Sequence, residues 1–107
     1  MKDCVSLEVA QKLQKAGYKQ SEGYYYEPPF PFVIKSDTPD SNYIPAPTAT
    51  QLAEETVKKV RSSVDYVIAK GWRVTLLDFR KDPEFIADTL PDALGLMMEY
   101  LLTNKLI

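Results

Sequence analysis

Four carboxylates cluster in the last third of the chain: Asp78, Asp82, Glu84 and Asp88. Paired carboxylates can move protons or hold a divalent cation. Their spacing matches no calcium loop or other metal-binding pattern, and solubilising a turn accounts for them. Cys4 lies just before a predicted helix N-terminus, where a thiol can lose its proton and become nucleophilic. It has no histidine to serve as its base, because the 107-residue chain contains none. The same absence excludes Ser-His-Asp and Cys-His pairs. A single cysteine cannot close a disulfide within the chain or complete a structural zinc site. Gly17, Gly23, Gly71 and Gly95 are too dispersed to form a phosphate-cradling loop. No catalytic residue, metal ligand or cofactor is expected, and the chain is read as non-enzymatic.

What remains is binding chemistry. Residues 18–47 hold six of the eight prolines and seven of the twelve aromatic residues. Proline-rich chain loses little entropy on binding, and tyrosine rings provide wide, rigid contact area. Tyr24, Tyr26, Phe30 and Phe32 are therefore the candidates for partner contact. The alternative is that alternate rings on a strand fill the core while the prolines shape an edge. A small-ligand module with an aromatic pocket near Tyr24–Phe32 is the second functional reading. Three consecutive tyrosines cannot all face one way on a strand, so at least one ring should sit at a rim.

The last predicted helix offers a second surface. Leu90, Leu94, Met97, Met98 and Leu101 form an ordinary core stripe. Ala93, Leu96 and Tyr100 widen the apolar arc beyond one face, which points to deep burial or an interface. Self-association through Ala93, Leu96 and Tyr100, giving a homodimer, is one expectation. Coverage by the aromatic segment and by Leu106 and Ile107 is the other.

The formal net charge is −2, from 13 basic and 15 acidic residues. Nucleic-acid modules usually carry a basic excess, so no nucleic-acid partner is expected. No apolar run approaches the length of a membrane span, and the first residues lack a signal-peptide core. A soluble, cytoplasmic, protein-binding chain is the resulting expectation.

These residues need elements to position them. Ser6 is a suitable N-cap, and Val5, Val9, Leu13 and Ala16 follow at helical spacing, so the first helix is predicted over 6–16 with Gly17 as its stop. Tyr24–Tyr26 and Phe32–Ile34 read as short strands around the prolines. Thr48 and Gln51 form a capping box. Ala53, Val57, Val60, Val64, Val67 and Ile68 then share one helical face, predicting a single helix over 49–70 ended by Gly71. A break at Ser62–Ser63 followed by a strand at 64–69 is the competing reading. Residues 72–79 and 85–88 read as a hairpin, and Thr89 with Asp92 caps a final helix running to about Thr103. The order α-β(β)-α-β-β-α implies one α+β domain over 1–107, a small antiparallel sheet of short hairpins covered by three helices.

Three segments also carry a resemblance. VSLEVAQKLQKAGY, IPAPTATQLAEE and ADTLPDALGLMMEYLLTNKLI resemble small proteins of unassigned activity carried by prophages and mobile elements of bacteria. The shared features are the VSLE start, the APT approach to a middle helix and the DAL approach to the last one. The resemblance implies a cytoplasmic accessory protein and brings no site residue with it.

Overall fold

In the computed structural model, residues 3–20, 23–28, 32–37, 42–77 and 82–107 are described. The elements are α1 (Leu7–Lys15), β1 (Gly23–Tyr26), β2 (Val33–Ser36), β3 (Ile44–Pro45), α2 (Ala49–Val57), β4 (Ser62–Val67), β5 (Gly71–Leu76), β6 (Glu84–Ala87) and α3 (Leu90–Thr103). The class is α+β, in the predicted order of helices and hairpins. The strands form two antiparallel three-stranded sheets, ordered β2-β1-β3 and β4-β5-β6.

Helix ends follow local chemistry. The side chains of Ser6, Thr48 and Thr89 accept from the N–H groups of Val9, Gln51 and Asp92, satisfying donors that the first turn cannot. Gly17 adopts φ 97 after α1, and the Tyr18 N–H donates back to the Leu13 carbonyl at 2.9 Å. The same closure ends α3, where the Leu106 N–H donates to the Leu101 carbonyl at 2.8 Å. There Lys105 takes the positive φ.

The helix predicted over 49–70 is shorter, and its second half is a strand. α2 stops at Val57, the Val60 N–H still donates to the Thr56 carbonyl, and β4 begins at Ser62. The physical reason is that Val64, Tyr66 and Val67 favour strand geometry, and Ser62 and Ser63 weaken helix continuation. Pairing with β5 then supplies backbone bonds through Ser63, Asp65 and Val67, and sets Val64 opposite Val74 and Tyr66 opposite Trp72. Gly71 does not end a helix. It opens β5 at φ 105, where a Cβ would overlap the Ala87 carbonyl.

One core joins both sheets. Tyr26 and Ile44 reach it from the first sheet, Val74 and Leu76 from the second, and Leu13, Leu52 and Met97 from the helices. α3 is the central element, packed against α1, α2, β5 and β6. Gly95 permits the close approach of α1, since a Cβ there would lie 2.6 Å from Val9 Cγ1 and 2.9 Å from Val5 Cγ1.

Candidate protein-interaction site

The tyrosine run is divided between the two faces of β1. Tyr24 and Tyr26 share the face that meets the core; Tyr24 is half-buried and Tyr26 is 7% exposed. The Tyr26 hydroxyl donates to the Val5 carbonyl at 2.8 Å. Tyr25 points the other way and is still buried at 2% exposure, with its ring 6.1 Å from that of Tyr43 and its hydroxyl donating to the Gln20 carbonyl. Both faces of β1 are therefore occupied. Phe32 is 67% exposed, and Phe30 lies outside the described residues. Of the three described candidates, Tyr24 and Tyr26 face the core and Phe32 is exposed.

The nearby depression is polar. A cleft of about 860 Å³ runs past Lys19, Gln20, Lys35, Asp37, Gln51 and Glu55, and no aromatic residue is among its described lining. Gln20, Gln51 and Glu55 of its lining are joined through Tyr18 behind them in a bonded network. The Gln51 Nε2 donates to Tyr18 Oη at 3.0 Å and to Gln20 Oε1 at 2.8 Å, and the Tyr18 hydroxyl donates to Glu55 Oε1 at 2.8 Å. Burial, and then the Glu55 carboxylate, push the Tyr18 phenol far above its ordinary range, so it stays protonated.

The wide apolar arc of α3 is largely used within the fold. Ala93 is fully buried, Leu96 is half-buried, and Tyr100 is half-buried with its ring 5.4 Å from Phe85. Asp82, Glu84 and Asp88 are exposed, and Asp78 lies outside the described residues. Among the described residues, no three His, Cys, Asp or Glu side chains are grouped as a metal site requires. Cys4 is half-buried, and desolvation holds its thiol above the usual value against the opposing hydrogen bond from Tyr26.

An open apolar surface lies around β4. Val64 and Tyr66 share the face of Val74 and Trp72 in the sheet. α3 lies over β5 and β6, and β4 extends beyond that cover. Tyr66 is consequently 59% exposed, its ring edge-on to Trp72 at 5.4 Å. A groove of about 840 Å³ separates β4 from α2 and the start of α3, with Ala53, Val57, Val60, Val64, Leu90 and Leu94 in its walls. Val57, at its rim, is 71% exposed. The opposite face of β4 is polar, where Arg73 forks onto Asp65 at 3.0 and 2.6 Å. That ion pair holds the Asp65 carboxyl below its usual value.

Sequence reasoning missed this site because it placed Val57, Val60 and Val64 on the buried stripe of one long helix. The available signal was the alternation of Ser62, Val64 and Tyr66 with Ser63 and Asp65. Among the described residues, no helix is long and apolar enough to cross a membrane. Comparison with protein-family models, curated proteins and solved structures finds no match.

Proposed function

We propose that this chain is a non-enzymatic, cytoplasmic protein-binding module that receives an extended partner segment in the groove between α2, β4 and α3. One observation carries the reading: Val57 and Val64 are exposed in the walls of this groove, and Tyr66 is exposed next to Val64 on the same face of β4, a strand that ends a sheet. Isolated exposed apolar residues are ordinary, whereas a contiguous group bordering a concave surface marks a binding site. An edge strand supplies backbone affinity, and side-chain pockets beside it supply specificity. An accessory role in the biology of a mobile element rests on the sequence resemblance alone.

Selection of displayed random peptides on the immobilised chain tests the reading. Extended peptides with alternate apolar residues should be recovered. Their affinity should fall at least about tenfold in Val57→Glu, whose melting temperature should match the wild type because the side chain is exposed. Recovery of no binding peptide, or of peptides indifferent to Val57→Glu, would contradict it.

A further inference from the structure

We infer that the free edge of β4 pairs antiparallel with β4 of a second copy of this chain. The inference rests on the reading of the groove and its adjoining edge as an interaction site, and it names the occupant of that edge.

Backbone direction shows which groups are offered. The Leu77 N–H donates to the Arg61 carbonyl at 2.9 Å, and the Leu76 N–H donates to the Pro83 carbonyl at 2.9 Å. Along an antiparallel strand, alternate residues direct both backbone groups to the same neighbour. The odd-numbered residues of β5 therefore bond β4, and the even-numbered ones bond β6. On β4 itself, Ser63, Asp65 and Val67 bond β5, while Ser62, Val64 and Tyr66 turn their N–H and C=O groups to the open edge. Among the described residues, no backbone partner meets those groups. The strand SSVDYV also lacks the proline, lysine or bulge that usually blunts an edge.

The sequence of β4 is complementary to itself in one register. With Val64 opposite the second copy's Val64, Ser62 faces Tyr66 and Tyr66 faces Ser62. Every outward-facing residue of both strands is then paired, and each facing pair exchanges two hydrogen bonds. Asp65 faces Ser63 of the second copy, with that copy's Arg61 and Asp65 on its two diagonals, so no like charges stand directly opposite. Moving the pairing to set Val64 against Tyr66 brings Asp65 against Asp65. Moving it the other way sets Tyr66 against Val60, outside the strand. The two-fold axis stands normal to the sheet, so Val64 and Tyr66 of both copies share one apolar face beside Val57. The product is a continuous sheet running from one β6 to the other. A net charge of −2 per chain offers little repulsion. A six-residue edge with this rim buries about 1,000 Å² in total, the size of a weak, reversible interface.

Light scattering from about 1 to 300 μM reads the association, a range chosen to bracket a micromolar Kd. The mass should rise from 12.2 kDa toward twice that value. Val64→Lys and Val64→Glu each place like charges on the two-fold axis and should raise Kd at least about tenfold. An equimolar mixture of the two variants should recover the dimer, which misfolding could not produce. Val64→Pro removes an outward N–H that no internal bond uses, and should also give a monomer with its circular dichroism preserved. Should the charged variants fail to fold, wild-type amide exchange decides: the Val64 N–H must gain protection as concentration rises. A strictly monomeric wild type overturns the inference, as does a dimer that ignores the Val64 variants and is lost in Leu96→Glu. A monomer that still binds the selected peptides overturns self-pairing alone and leaves the groove reading standing. A chain that does neither overturns both.

Discussion

The two sheets have the same number of strands and opposite surfaces. In β2-β1-β3, the central strand is occupied on both faces: Tyr26 enters the core and Tyr25 is covered on the other side. In β4-β5-β6, the central strand buries Val74 and Leu76, while edge strand β4 stays exposed from Ser62 to Tyr66. The first region has the conspicuous aromatic composition, and the three tyrosines of its central strand are buried or half-buried, while Phe32 beside them is exposed. The second resembles an ordinary amphipathic helix in sequence and is open. Apolar composition alone therefore does not locate a binding surface; coverage by the next layer does.

The contrast can be broken by substitution. Tyr26→Ala should destabilise the chain by about 3–5 kcal/mol in urea denaturation, because it empties a core site and removes the bond to Val5. A cost below about 1 kcal/mol would mean the first sheet is not tied to the core. Gly95→Ala should cost about 1–3 kcal/mol by the same assay, since its methyl group meets Val5 and Val9 on α1. A gain of about 1 kcal/mol, the helix-propensity advantage of alanine over glycine, would show that α1 gives way freely.

Alkaline pH should act on the first region. Burial, and then the charges of Cys4 and Asp92, raise the Tyr26 phenol from 10.0 to about 12. An unfolded chain ionises this group near its ordinary value, whereas the folded chain keeps it protonated. Its contribution is thus complete below about pH 10, declines between about pH 10 and 12 and levels off above. The denaturation midpoint should fall over that interval, and less steeply in Tyr26→Phe. Equal slopes in the two proteins would remove Tyr26 as the cause. At the open region, Tyr66→Ala should cost no more than about 1 kcal/mol, mainly the edge-on contact with Trp72. A loss as large as that of Tyr26→Ala would show β4 to be part of the core.

The legible parts of the sequence were those fixed by neighbouring residues. Ser6, Thr48, Thr89 and Gly17 act as their types predict because caps depend on a few bonds within one turn. Even there, long-range partners intervene. Gln51 gives its side chain to Tyr18 and Gln20, and Asp92 accepts from the Ser6 N–H at 2.6 Å, in place of the return halves of the two capping boxes. Residues 57–68 were harder, since their valines fit both a helical stripe and an alternating strand. Pairing with residues 71–76 decides between them, and that pairing is absent from local pattern. The candidate site is further removed. Its exposure depends on β4 standing at the end of its sheet and on α3 stopping short of it, neither of which spacing encodes. Similarly, the direction of Tyr24 and Tyr26 depends on which face of β1 the helices occupy.

The most direct measurement is residue-resolved amide exchange across β4 at low and high protein concentration. In dilute solution, the N–H groups of Ser63 and Asp65 should be protected and those of Ser62, Val64 and Tyr66 should exchange freely. At high concentration the second set should become protected as well, with Val64 at the centre of the effect. Uniform protection along β4 in dilute solution, or free exchange of Val64 at every concentration, would contradict the account of β4 as an open edge that a second copy fills.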